Sequence, residues 1–129
     1  MAVTHSTAAR NAATDAVTAL IGANGRLAFR LTGTVGSPGT VVATLNLSAT
    51  AFPAAVSGTA TANAISSDTN AAGNASAVAT ATLQTNAGTV VIHCAVAASA
   101  SDINMTNGLV VAAGDTVSCS SLTYTALSA

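Results

Sequence analysis

The sequence predicts a mainly β protein, an antiparallel β-sandwich or jelly-roll-like barrel preceded by one N-terminal helix. Three observations predict it. The hydrophobic period changes from three or four to two at Arg26, short alternating runs are separated by turn residues, and the most β-branched run, residues 88–97, has the length of a strand. Many short strands at regular spacing suit sandwiches and barrels. With 129 residues the chain fits one domain's length, divided into a helical arm over 1–25 and a β-sandwich domain over 26–129.

Residues 6–21 carry the helix, with Ala9, Ala12, Ala13, Ala16, Val17, Leu20 and Ile21 forming a stripe and Arg10 and Asp15 lying off it. Thr4, Ser6 or Thr7 caps its start, and Gly22 with Asn24-Gly25 ends it. So alanine-rich a stripe leaves the helix marginal without a partner surface. Leu27, Phe29 and Leu31 then alternate with Arg26, Ala28 and Arg30, and a loop over 33–39 leads into Val41, Ala43, Leu45 and Leu47 as a hairpin partner. Pro53 breaks the pattern. Residues 58–65 and 75–83 form weaker strands of threonine, alanine and valine.

Gly88-Thr89-Val90-Val91-Ile92-His93-Cys94-Ala95-Val96-Ala97 is predicted to be a central strand, with Val90, Ile92, Cys94 and Val96 on one face and Val91, His93 and Ala95 on the other. A short extended piece over 102–105 follows. In the last segment, 116–126, Val117 and Cys119 share one parity and Leu122 and Tyr124 the other, so a bulge near Ser120-Ser121 would keep both pairs inward.

Composition narrows the function. The chain is 50% hydrophobic but only 2% aromatic, with Phe29, Phe52 and Tyr124 alone, so its core must be thin. Charged residues make up 5%: three arginines, four aspartates, no lysine and no glutamate, for a net charge of -1. Ordinary soluble domains carry about a quarter. Such a surface repels its neighbours weakly and suits a subunit packed in an assembly. Three arginines do not supply the phosphate neutralisation that nucleic-acid binding requires. No basic and apolar leader and no run of about 20 apolar residues is present, so neither secretion nor a membrane span is expected.

The chemistry-bearing residues are few. Cys94 and Cys119 fall on apolar parities, and either a disulfide between neighbouring strands or two free core thiols fits them. His93 and Cys94 are adjacent, so on a strand they point to opposite faces and form no dyad. Asp68-x-Asn70 with Gly73 lacks the later ligands of a calcium loop, since Ala72 and Ala79 stand at those places; an Asx turn is the better reading. No paired acids, nucleophile elbow or phosphate loop is found, so no enzyme, cofactor or metal is expected. Arg26 and Arg30 share one strand parity, which means either a solvated face or contact with an acidic patch on a partner.

Three segments, Ala2 to Ala12, Gly58 to Asp68 and Ala113 to Thr125, give the chain its likeness: it resembles small virion structural proteins of tailed bacteriophages. The resemblance implies a virion component made in the host cytoplasm, and within that group a capsid decoration (cement) protein that binds and stabilises the lattice. Its partners would be the major capsid protein and copies of itself in a homo-oligomer such as a trimer, without nucleic acid or membrane. Ala9, Ala13, Val17 and Leu20 on the helix, with Arg26 and Arg30, are the expected partner contacts. A tail- or fibre-associated receptor- or glycan-binding module is the alternative, though three aromatic residues equip it poorly.

Overall fold

Helix α1 (Thr7–Ile21) begins where the Ser6 hydroxyl accepts the Ala9 N–H at 3.1 Å and ends at Gly22, whose φ of 70° only glycine adopts freely. These bounds come from a computed structural model that describes residues 3–127. Gly25 then turns the chain, and a side chain there would collide with Ile21 and the Gln84 carbonyl.

Eight strands follow: β1 (Arg26–Arg30), β2 (Val41–Leu47), β3 (Thr59–Thr61), β4 (Ile65–Ser66), β5 (Thr80–Gln84), β6 (Val90–Ala97), β7 (Ile103–Asn104) and β8 (Thr123–Thr125). Six form one sheet in the order β4-β2-β1-β5-β6-β7, and β3 pairs with β8 in a small second sheet. The large sheet is mixed, because β7 runs parallel to β6 while the other pairs are antiparallel. The chain is therefore mainly β with one N-terminal helix, as its sequence predicts.

Alternation makes one face of the large sheet apolar. Leu27 stands between Leu45 and Leu83, and Phe29 between Ala43 and Ala81, so large side chains sit beside small ones. Against this face pack Ile21, Ala51, Ala71, Val78, Val111, Val117 and Leu122, most of them from irregular segments. The second layer is thus the small sheet, the end of α1 and well-packed loops. Val117 and Leu122 are both buried, as the expected bulge requires, although only Thr123–Thr125 of that segment is a strand and Val117 bridges Asp68.

Four expectations need correction. Strand 88–97 is not central: β6 is fifth of six, and β1 with β5 occupies the middle. The weaker-looking β5 is buried along its whole length, because hydrogen-bonded threonine and glutamine side chains can be buried where bare polar groups cannot. The segment 58–65 divides into β3 and β4, which belong to different sheets. Within β6, a register shift opposite Leu83 and Gln84 pairs Val90 with Gln84, so Val91 rather than Val90 packs on the core.

The helix meets the rest of the molecule through its polar side. Arg10 donates to the Leu127 and Ser57 carbonyls at 3.3 and 3.0 Å, and Asn11 accepts the Gly58 N–H at 2.7 Å. Asp15 accepts the Ala55 N–H at 2.8 Å. The buried Thr14 hydroxyl donates to the Gly58 carbonyl at 2.6 Å and accepts the Ala126 N–H at 3.1 Å, tying both ends of the chain to its middle. Replacing Thr14 with valine keeps the shape and strands both main-chain partners. We expect Thr14→Val to lower the unfolding free energy by about 2 kcal/mol in urea denaturation, whereas Thr7→Val on the exposed side leaves it within about 0.5 kcal/mol.

Candidate functional site

The residues expected to meet a partner fall in two regions. The first is the outer side of α1. Because Arg10, Asn11, Thr14, Asp15 and Thr18 turn inward, Ala9, Ala12, Ala16 and Leu20 are exposed, Leu20 to 66%, with Ala13 and Val17 half-buried beside them. Both charged side chains of the helix are held on the inner side. What remains outside is an uncharged strip of small residues. Such a strip allows another backbone to come close, since no long side chain must be displaced.

The second is the polar face of the large sheet. Ala28, Arg30, Thr80, Thr82, Gln84 and His93 share its parity across β1, β5 and β6. Arg30 lies diagonally over this row: Nε donates to Thr82 Oγ1 at 3.0 Å, Nη2 to Gln84 Oε1 at 2.9 Å and Nη1 to the Gly39 carbonyl at 2.9 Å. Thr82 in turn donates to Gln84 Oε1 at 2.9 Å, and Thr80 to the Leu31 carbonyl at 2.7 Å. All the oxygens Arg30 reaches are uncharged. Burial lowers its pKa from the ordinary value, yet an arginine remains cationic. His93 stands opposite Thr82 on the other side, and its Nε2 is sealed from solvent with no hydrogen-bond partner. Arg26, four residues along β1, reaches only Asn86 Oδ1 at 3.4 Å.

Of the residues singled out by sequence, Ala9, Ala13, Val17 and Leu20 gather on α1, while Arg26 and Arg30 gather on the sheet. The two sets do not meet in one element. Thr82, Gln84 and His93 were not foreseen as Arg30's surroundings. Their signal was the alternation Thr80, Thr82, Gln84 against Ala81 and Leu83, which places three polar side chains on one face of a strand buried on both.

Cys94 and Cys119 are both free thiols. Cys94 lies in β6 opposite Ala81, and Cys119 precedes β8 and donates to the Ser121 carbonyl at 3.3 Å. Burial, assisted by the Asp102 carboxylate, pushes the Cys94 thiol up to about 11, and burial raises Cys119 as well. A thiol held protonated is a poor nucleophile. Asp68 makes the expected Asx turn, accepting the Asn70 N–H at 3.0 Å.

A shallow groove of about 350 Å³ runs between the end of α1 and residues 49–54, lined by Asp15, Thr18, Gly22, Phe52 and Pro53. Asp15 is its one ionisable group and is already engaged by Ala55. Phe29 is buried, and Phe52 and Tyr124 are half-buried. Among the described residues no three His, Cys, Asp or Glu side chains gather as a metal site would need, and no helix is long and apolar enough to cross a membrane. Comparison with protein-family models, with curated proteins and with solved structures finds no match.

The Cys94 environment has a measurable consequence. Its alkylation by iodoacetamide should be slow at pH 8 and rise about tenfold per pH unit until near pH 11, followed by intact mass. A folded-state pKa above that of the unfolded thiol also means that stability falls as pH climbs from 9 toward 11. Rapid alkylation at pH 8 in the folded protein would contradict the burial.

Proposed function

We propose that the chain is a non-enzymatic structural subunit of a bacteriophage virion, a decoration protein that binds and stabilises the capsid lattice. One observation carries the reading: α1 turns its polar side to its own body and presents Ala9, Ala12, Ala16 and Leu20 outward without a charge among them. An isolated solvated helix normally does the opposite. The scarcity of charge over the whole chain and the likeness of three segments to tailed-phage virion proteins support the same reading. Attachment of many copies, each weak, gains from the effective concentration that a lattice imposes.

The major capsid protein is the partner we assign to the outer helix strip. The alternative, a glycan-binding tail module, is not favoured, since such sites present exposed aromatic platforms and here Phe29 is buried and Phe52 and Tyr124 are half-buried. Substitution tests the strip better than deletion of residues 1–22, because deletion would also remove Ile21 from the core. Purified protein should co-sediment with emptied capsids of its source phage. The double variant Ala12→Glu, Ala16→Glu should fold with an unchanged melting temperature and lose at least about tenfold in capsid affinity, as two carboxylates are buried without partners. Wild-type protein that fails to co-sediment, or a double variant that binds equally well, would overturn the proposal.

A further inference from the structure

Hydrogen-bonding capacity is left unused on the polar face of the large sheet. Arg30 carries five N–H groups, of which three find oxygens. Gln84 Oε1 already receives two of the cluster's donors, one from Arg30 and one from Thr82, and so has both lone pairs in use. The Thr82 hydroxyl accepts from Arg30 and donates to Gln84. Arg30 and Thr82 both bond Gln84 through its oxygen, and His93 Nε2, on the strand beside Thr82, is buried without a partner.

Charge is out of balance in the same place. Two of the chain's three arginines, Arg26 and Arg30, lie on this face with His93. The four aspartates serve elsewhere: Asp15 on α1, Asp68 at the β2 edge, Asp102 at the β6 edge and Asp115 in a turn, each accepting a main-chain N–H. A half-buried guanidinium with only neutral oxygens around it is a cation waiting for a counter-charge. A planar group with two oxygens and a negative charge would supply both missing terms.

We propose that this face, centred on Arg30 and flanked by Arg26 and His93, is a docking site for a carboxylate side chain presented by an acidic polypeptide segment of a partner. The carboxylate takes the two free N–H groups of the half-buried Arg30. Arg26 gives long-range attraction from the edge. The site is separate from the outer strip of α1, and its existence does not depend on capsid attachment.

The test uses the full chain in solution. Capped hexaglutamate, capped hexaglutamine and inorganic phosphate are titrated in turn while the Arg30 side-chain N–H and the His93 ring are followed by nuclear magnetic resonance. Hexaglutamate should shift both residues saturably, hexaglutamine should shift neither, and phosphate should act only at higher concentration. Arg30→Lys, which keeps the charge and loses the planar fork, should weaken hexaglutamate binding about tenfold, and Arg26→Gln by a few-fold. Should Arg30→Lys fold poorly, the wild-type titrations and Arg26→Gln still decide. No shift at Arg30 and His93, or an equal response to hexaglutamine, would reject the site. Saturation by phosphate at lower concentration than by hexaglutamate would make it a small-anion site and overturn the acidic-polypeptide assignment.

Discussion

The constraint on which the rest of the structure depends is that main-chain N–H groups outside regular ladders must find acceptors in a chain almost without charge. Its four carboxylates all serve that end. Asp15 takes the Ala55 N–H, Asp68 those of Thr44 and Asn70, Asp102 that of Ala95, and Asp115 that of Ala112. A charge-assisted bond to a main-chain donor is stronger than a neutral one and leaves no buried donor unmet. The arginines mirror this, reaching carbonyl, amide and hydroxyl oxygens only. Ionic side chains here act as clamps on the backbone. Long irregular segments can therefore form a layer of the fold.

That layer works because the side chains under it are small. Ala51, Ala55, Ala60 and Ala71 are all buried, so the segments that carry them approach the core at close range. Gly73 shows how close: a Cβ there would run into the main chain at Ala112 and Ala113, and its φ of 71° suits glycine besides. Leu27, Phe29, Leu45 and Leu83 are the large side chains at the middle of the sheet, and the register sets each beside an alanine or a second leucine. Cutting one of them back would be felt strongly, since so thin a core has little material with which to close a cavity.

Much of this was legible in the residues. The change of hydrophobic period at Arg26, the hairpin of β1 and β2, the cap at Ser6 and the Asx turn at Asp68 follow from local chemistry that nothing distant overrides. The order of strands did not. Hydrophobicity favoured residues 88–97 as the centre, yet β5, with threonine or glutamine at three of its five positions, is deeper, because Arg30 arches over its polar side from about fifty residues away. Periodicity could find the alanine stripe of α1 and set Arg10 and Asp15 apart from it. It could not tell which side would meet the body, since that is decided by free main-chain groups at 55–58 and 126–127. The two thiols sat on plausible parities, but in different sheets' surroundings, and parity carries no information on distance.

The borders of the large sheet have a meaning for molecules held side by side. On one flank β4 is two residues long; on the other, β7 is equally short and runs parallel, while the Asp102 carboxylate occupies the Ala95 N–H. Open strand borders template the addition of further chains, and fibres grow from them. Here each terminal strand offers only a couple of rungs. A second copy laid against either terminal strand would find a seam two residues long, too short a template from which to extend a ribbon.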